Sequence, residues 1–194
     1  MRRDAPATAR NREPILDVLR AVVRPGDRVL ELAAGTGQHA LYFSGALGVE
    51  WLPTDPDPES VASIAAWRED AGPNLQAPRR MSVHDPDWPA PVDVIVCINM
   101  IHISPWEATE ALMAGAGRVL EPGGRLVTYG PYRVDGAHTS ESNVQFERWL
   151  HSLDGRYGVR DAADVAAEAS RNGLVLDERI AMPANNFCLV FSRE

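Results

Sequence analysis

Cysteine is nearly absent: Cys97 and Cys188 are the two in 194 residues, each inside an apolar run. Two are too few for a disulfide framework. They read as buried free thiols of a reducing compartment, so a cytoplasmic setting is expected. No apolar stretch reaches the roughly 18 residues that cross a bilayer. The opening Met1-Arg2-Arg3-Asp4-Ala5-Pro6 lacks the apolar segment of a secretion signal, so no membrane partner is expected. The five histidines (39, 84, 102, 138, 151) are scattered and show no metal-ligand spacing with Cys or Asp, so no metal site is expected. Basic blocks are missing too, beyond pairs such as Arg79-Arg80, and the formal net charge is −8. An acid-rich surface repels phosphate backbones, which speaks against a nucleic-acid partner. There are no internal repeats and no low-complexity linker, and 194 residues suit a single domain, 1–194, with one sizeable core.

What is present is an alternation of strand and helix patterns. Residues 1–12 are polar and read as a mobile or ligand-ordered segment. Pro14 suits the first turn of a helix whose apolar face is Ile15, Leu16, Leu19, Val22 and Val23, and Pro25-Gly26 ends it. A strand over about 28–33 and a helix over about 37–46 follow. The next strand, 49–55, contains Pro53, which predicts that its end bends out of the ladder. Asp57-Pro58 starts another helix, ending near Gly72-Pro73. A weak strand lies around 80–83. The run Val92-Asp93-Val94-Ile95-Val96-Cys97-Ile98 is apolar enough for a central parallel strand covered on both faces. Ser104-Pro105-Trp106-Glu107 reads as a capping box with proline at the first helical position. After that helix come a strand at 125–129, helices around 144–153 and 161–172, and strands at 174–181 and 187–192. The last two are joined by only a short polar connector, which fits an antiparallel hairpin. The whole predicts an α/β protein, an open and mostly parallel sheet with helices on both faces.

One stretch carries chemistry. Val29, Leu30 and Leu32 form an apolar strand holding an acid, Glu31; Gly35-Thr36-Gly37 turns the chain; Ala40, Leu41, Phe43 and Leu47 continue as a helix. Such a turn needs glycine for positive φ and for a close backbone approach to a ligand. The helix start beyond it offers unpaired N–H groups. An acid facing this pocket disfavours a phosphate and suits a ligand with donors or positive charge. By itself the glycine pattern is also what a purely structural strand–helix turn has.

The pattern Glu31-x-Ala33-x-Gly35-x-Gly37 resembles motif I of class I S-adenosylmethionine (SAM)-dependent methyltransferases, with Ala33 in place of the first glycine. The resemblance implies a Rossmann-like sheet of seven strands in the order 3-2-1-4-5-7-6 with strand 7 antiparallel, the closing hairpin supplying the last two. It implies SAM as cofactor and S-adenosylhomocysteine (SAH) as product. Ligands of open α/β sheets bind beyond the carboxyl ends of the strands. The cofactor residues expected there are Glu31, Ala33, Gly35, Thr36 and Gly37 on the turn. Asp55, 24 residues after Glu31, would accept the ribose hydroxyls, with Pro56 beside it; a turn-forming Asp is the alternative. Asp57 reads better as a helix cap. His84 and Asp85 would face the adenine, Asp85 accepting from its amino group or merely closing a turn. Asn99 would lie near the methionine moiety. Asn99, His102 and Tyr132 leave the ends of the fourth and fifth strands, where an acceptor would bind. His102 is the candidate base because its ordinary pKa is near neutral, with a histidine satisfied by local backbone as the alternative. His39 reads as structural or cofactor-adjacent. Asn11 and Arg12 lie where a lid made by residues 1–14 would close, Arg12 pairing with the methionine carboxylate.

Longer strings are more specific. Arg10-Asn11-Arg12-Glu13-Pro14-Ile15, Gly35-Thr36-Gly37-Gln38-His39, Asn99-Met100-Ile101-His102-Ile103-Ser104-Pro105-Trp106, Tyr129-Gly130-Pro131-Tyr132 and Thr139-Ser140-Glu141-Ser142-Asn143 with Phe146 resemble a small family of single-domain methyltransferase-like proteins of bacteria and animals. Asn143 is thereby a candidate substrate contact. The Asn/Asp-Pro-Pro-Tyr/Phe string of amine and amide methyltransferases is not present after the fourth strand. The leading expectation is methyl transfer to a small molecule. A nicotinamide-dependent oxidoreductase would want Gly-x-Gly-x-x-Gly, and the third position after Gly37 is Ala40; Glu31 would also repel a pyrophosphate. The third alternative is a protein that binds SAM or a nucleoside without catalysis.

Overall fold

The computed structural model describes residues 1–194. Contacts within the chain gather into two units, Met1–Val96 and Cys97–Glu194. Seven strands form one sheet in the order β3-β2-β1-β4-β5-β7-β6.

The first unit opens with α1 (Pro6–Val22). The helix expected to begin at Pro14 begins eight residues earlier, and Pro14 lies inside it. An internal proline removes a backbone hydrogen bond and is costly in an isolated helix. Side-chain contacts override that cost here, because Asn11 bonds His39 at 2.8 Å, the Glu13 carboxylate accepts from the Tyr42 hydroxyl, and the Arg12 guanidinium lies 4.6 Å over the Tyr42 ring. The inward face of α1 carries Thr8, Ile15, Leu16, Val18 and Leu19. β1 (Arg28–Leu32), α2 (Gln38–Leu47), β2 (Glu50–Asp55) and α3 (Pro58–Arg68) follow. β1 and β2 are parallel, with Glu31 opposite Pro53.

Pro53 therefore stays in the ladder, contrary to the expected bend. Trp51 N donates to Asn74 O and Met81 N to Asp55 O, so residues 51, 53 and 55 turn their backbone polar groups away from β1. The N–H that proline lacks would point to the side where β3 is only Arg79–Arg80, and no ladder bond is lost. Asp57 caps α3, its carboxylate accepting from Glu59 N and Ser60 N. That helix ends at Arg68, short of the Gly72-Pro73 stop.

β4 (Val92–Ile98) matches the expected span, and its side chains are buried or half-buried along its length. The second unit continues with α4 (Trp106–Val119), β5 (Leu120–Gly130), α5 (Glu141–Leu153), α6 (Ala162–Arg171), β6 (Leu174–Met182) and β7 (Asn186–Arg193). The expected capping box at the start of α4 does not form. Pro105 is the cap residue, and the Ser104 hydroxyl instead donates to Met100 O at 2.6 Å. β7 runs antiparallel to both β5 and β6, with Gly130 opposite Phe187 and Met182 opposite Asn186. Cys97 and Cys188 are buried and form no disulfide, and burial pushes the Cys188 thiol up to about 12. No helix is long and apolar enough to cross a membrane.

Gly117 of α4 sits against the end of α6, where a Cβ would meet Asn172 O at 2.2 Å. Helix propensity alone favours Gly→Ala by about 1 kcal/mol. Overpacking against backbone outweighs it, so Gly117→Ala lowers the unfolding free energy by about 1–3 kcal/mol in urea titration. A raised denaturation midpoint contradicts the contact.

Candidate functional site

The turn between β1 and α2 is left-handed at every second residue: φ is 53° at Ala33, 57° at Gly35 and 88° at Gly37. Ala33 adopts the left-handed conformation despite its Cβ, a locally strained choice that the surrounding bonds hold. Ala34 N donates to Thr54 O at 2.9 Å, and Gly35 N donates to the Asp55 carboxylate at 2.9 Å. At Gly37 the need for glycine is also steric, since a Cβ would lie 2.8 Å from the Ile64 Cα of α3. The first turn of α2 has no side-chain cap. Thr36 is half-buried, its hydroxyl donating to Gln38 Oε1 at 3.1 Å. This is a tightly approached loop with its backbone amides presented at a helix start, as a nucleoside cofactor requires.

Asp55 ends β2, largely buried, with one oxygen on Gly35 N and the other on Asp57 N, both at 2.9 Å. Burial raises its carboxyl above the ordinary range, against the pull of those two amides. Each oxygen keeps a second lone pair for a hydroxyl donor. The neighbouring Pro56 is exposed, and its carbonyl takes Arg80 Nε at 3.1 Å. His84 and Asp85 are exposed in a turn beyond β3, which Asp85 closes by accepting Ser82 N at 2.9 Å.

Glu31 departs from expectation. It does not face an open pocket: it is 1 % exposed, and its carboxyl accepts the Trp51 indole N–H at 2.7 Å. Burial raises its pKa to about 8, opposed by the indole bond and reinforced by Asp55. A group that is mostly protonated at neutral pH gives little repulsion, so the charge argument against a phosphate loses its force. Asn11 and Arg12 are not in a free segment either. They lie within α1 and fasten it to His39 and Tyr42 of α2.

Residues 1–5, part of the segment expected as a lid, are bonded along α3 and to α2. Arg3 N donates to Ser63 Oγ at 2.8 Å, and Ser63 Oγ donates to Thr36 O at 2.8 Å. Ala5 N donates to Gln38 Oε1 at 2.7 Å, while Gln38 Nε2 reaches Asp4. The Trp67 indole donates to Arg3 O at 3.0 Å, and Arg2 lies over that ring and pairs with Asp70. A strap thus runs along α3 to the first residue of α2. Only the crowding of Arg2, Arg3 and Asp4 hinted at it.

In the second unit, Asn99 follows β4 with φ 63° and donates its N–H to Tyr129 O at 2.8 Å; its side chain is half-buried. His102 is fully buried. Its Nδ1 accepts Arg160 N at 3.3 Å and its ring meets Tyr132 edge-on at 4.7 Å. Nε2 has no partner and packs on Gly130, where a Cβ would be 2.4 Å away. Burial, then the Arg160 charge, lower the imidazole to about 3. A neutral ring sealed in the core cannot exchange protons with an acceptor, which corrects its reading as a base. Tyr132 is likewise fully buried, its hydroxyl bonded to Thr128 Oγ1 at 2.7 Å, and it borders no open pocket. Asn143 is buried near the start of α5, with Nδ2 donating to Thr139 Oγ1 and Asn185 O. It joins α5 to the β6–β7 turn rather than presenting a substrate contact. The reading of 139–143 missed its neighbours: Glu147 accepts Arg133 on both oxygens at 2.7 and 2.6 Å, and pairs with His138 Nε2 at 2.8 Å.

The buried groups give a pH signature. His39 and His102 are held neutral, at about 4 and about 3, so the unfolded chain binds more protons below about 6.5 and stability rises with pH up to there. Glu31 acts oppositely: its folded pKa of about 8 exceeds the unfolded value of 4.5, so stability falls as pH rises between them. On the acid side the two imidazoles act against Glu31 and against Asp55, whose folded carboxyl is also raised; above about 6.5 the imidazoles no longer contribute and Glu31 governs. Thermal midpoints should therefore peak near pH 6.5 and fall toward about pH 8, and Glu31→Gln should flatten that fall. A midpoint still rising from pH 6.5 to 8 in the parent contradicts the assignment.

Among solved structures, the chain is similar to an O-methyltransferase family 2 protein from Planctomyces limnophilus in complex with apigenin, at TM-score 0.83 and 17% identity over 95% of this chain and 56% of that one. It is similar to the mitomycin 7-O-methyltransferase MmcR at TM-score 0.81 and 13% identity, over 97% of this chain and 54% of that one. It also resembles magnesium protoporphyrin IX methyltransferase (ChlM) from Synechocystis with bound SAH, at TM-score 0.73 and 14% identity, over 94% and 82%. At such identities the likeness is one of fold, and the chain spans little more than half the length of the first two. The family model described as "Protein of unknown function (DUF938)" matches residues 2–193, all but Met1 and Glu194, and the chain belongs to that family.

Proposed function

We propose that this protein is a SAM-dependent methyltransferase acting on a small-molecule acceptor, with SAH as product. The observation that carries the reading is the loop 33–37, left-handed at three alternate residues, anchored by Asp55 and opening onto the uncapped start of α2. The seven-strand order with antiparallel β7, and neighbours of the same fold that hold SAH or apigenin, support it.

SAM would supply a methyl carbon on a positively charged sulfur. The chain's part is positional. The loop amides would pack against the nucleoside and methionine portions, and the spare lone pairs of Asp55 would accept ribose hydroxyls. The turn at His84 and Asp85 would border the adenine. Asn99, which follows β4, keeps a half-buried side chain that would be available to a ligand. With His102 neutral and sealed, the acceptor must attack with a lone pair already available or lose its proton elsewhere. That same burial favours one second reading, a SAM-binding protein without catalysis, which retains SAM unchanged when incubated with cell extract. The net charge of −8 argues against a nucleic-acid substrate, and the two buried thiols fit a cytoplasmic setting.

Calorimetry should show SAH binding, weakened by about 1–3 kcal/mol in Asp55→Ala, the usual loss for a charge-assisted hydrogen bond. NAD binding without SAH binding overturns the reading. The lid expected over 1–14 narrows to residues 1–5, since the rest is helix. Amide exchange at residues 2–5 should slow on adding SAH, through Ser63–Thr36 and Gln38; identical rates in both states leave the strap without a role in binding.

A further inference from the structure

The second unit holds a cleft of about 720 Å³ that none of the cofactor-loop residues lines. Its walls come from the start of α4, the segment after β5, residues 159–161 and the outer face of α6. Three arginines line it, and two are neutralised: Arg133 by both oxygens of Glu147, Arg171 by Glu168 at 2.6 Å. Asp161 is also satisfied, its oxygens taken by Gly136 N at 2.6 Å and Ala163 N at 2.8 Å.

Arg160 is different. It is half-buried and has no carboxylate within ion-pair distance. Its Nε donates to Ile101 O at 3.3 Å, and one terminal nitrogen donates to Ser104 O and Arg156 O, both at 2.8 Å. The other terminal nitrogen makes no hydrogen bond. Burial lowers its pKa, with Glu107 and Glu147 opposing only from a distance. A guanidinium fixed by three carbonyls is pre-organised to meet a carboxylate through its remaining terminal nitrogen. The Trp106 ring lies 5.8 Å from its carbon, with Val159, Ala163 and Ala167 as the apolar part of the wall. Asp135 and Asp164 stand exposed on the same cleft and would repel a phosphate ester or other polyanion.

We propose that this cleft binds a small aromatic monocarboxylate, the carboxylate on Arg160 and the ring against Trp106. The site goes beyond the methyl-transfer reading and does not depend on it. Occupancy would be felt at residues 101–104, whose carbonyls Arg160 holds.

Calorimetry with 2-naphthoate, 2-naphthamide and inorganic phosphate tests it. 2-Naphthoate should bind one to one, 2-naphthamide at least about tenfold more weakly because the charge-assisted bond is lost, and phosphate not measurably. Arg160→Gln should weaken 2-naphthoate by the same factor. Because that change also releases the 101–104 carbonyls, Ala167→Trp serves as the second variant: it fills the cleft from the exposed face of α6, should leave the thermal midpoint in place, and should abolish binding. Equal affinity for acid and amide, no binding of 2-naphthoate, or parental binding in Ala167→Trp overturns the proposal.

Discussion

The carboxylate of Asp55 ties the amide of Gly35 to that of Asp57, and through them three segments: the turn after β1, the end of β2 and the start of α3. The turn closes one of its own bonds, Gly37 N to Ala34 O, and leaves the Gly35 amide to a carboxylate supplied by the neighbouring strand. The strained Ala33 conformation and the close seat of Gly37 on Ile64 both follow from holding the turn at this depth. The geometry of the cofactor loop is thus a property of strand pairing: Asp55 is placed by the parallel register that sets Glu31 opposite Pro53.

Several buried ionisable groups of the protein are kept uncharged. Glu31 shares a buried bond with Trp51, and His39 and His102 are neutral at physiological pH. Charge is kept at the periphery, where Arg2, Arg3, Arg125 and Arg156 find aspartates. The acidic balance of the composition therefore describes the surface and says little about the loop, where Asp55 is held by backbone amides and Glu31 is mostly protonated.

The parts legible in the sequence are those that local pattern determines. β4 matched residue for residue because a strand covered on both faces writes itself as an unbroken apolar run. The closing hairpin was readable from its short connector, and the Asp57 cap from its position before Pro58. What failed depended on distant contacts. Pro14 looked like a helix start because the bonds from Asn11, Arg12 and Glu13 to α2 are invisible to a local reading. His102, Tyr132 and Asn143 have polar side chains at strand and helix ends, where function is usually sought. Only the fold reveals that one seals against Gly130, one against Thr128 and one against Asn185. Arg160 carried no motif at all; its interest comes from what its neighbours leave unpaired.

The strap has a practical side. The chain has no lysine: its 19 Lys and Arg residues are all arginine, so no side chain carries a primary amine. Met1 is fully exposed, while Arg2 and Arg3 beside it are fastened to α3. A lysine introduced beside the strap would therefore be the one side-chain amine in these 194 residues open to an amine-reactive fluorophore. The absence of lysine lets one introduced amine serve as an optical reporter of whatever the strap does.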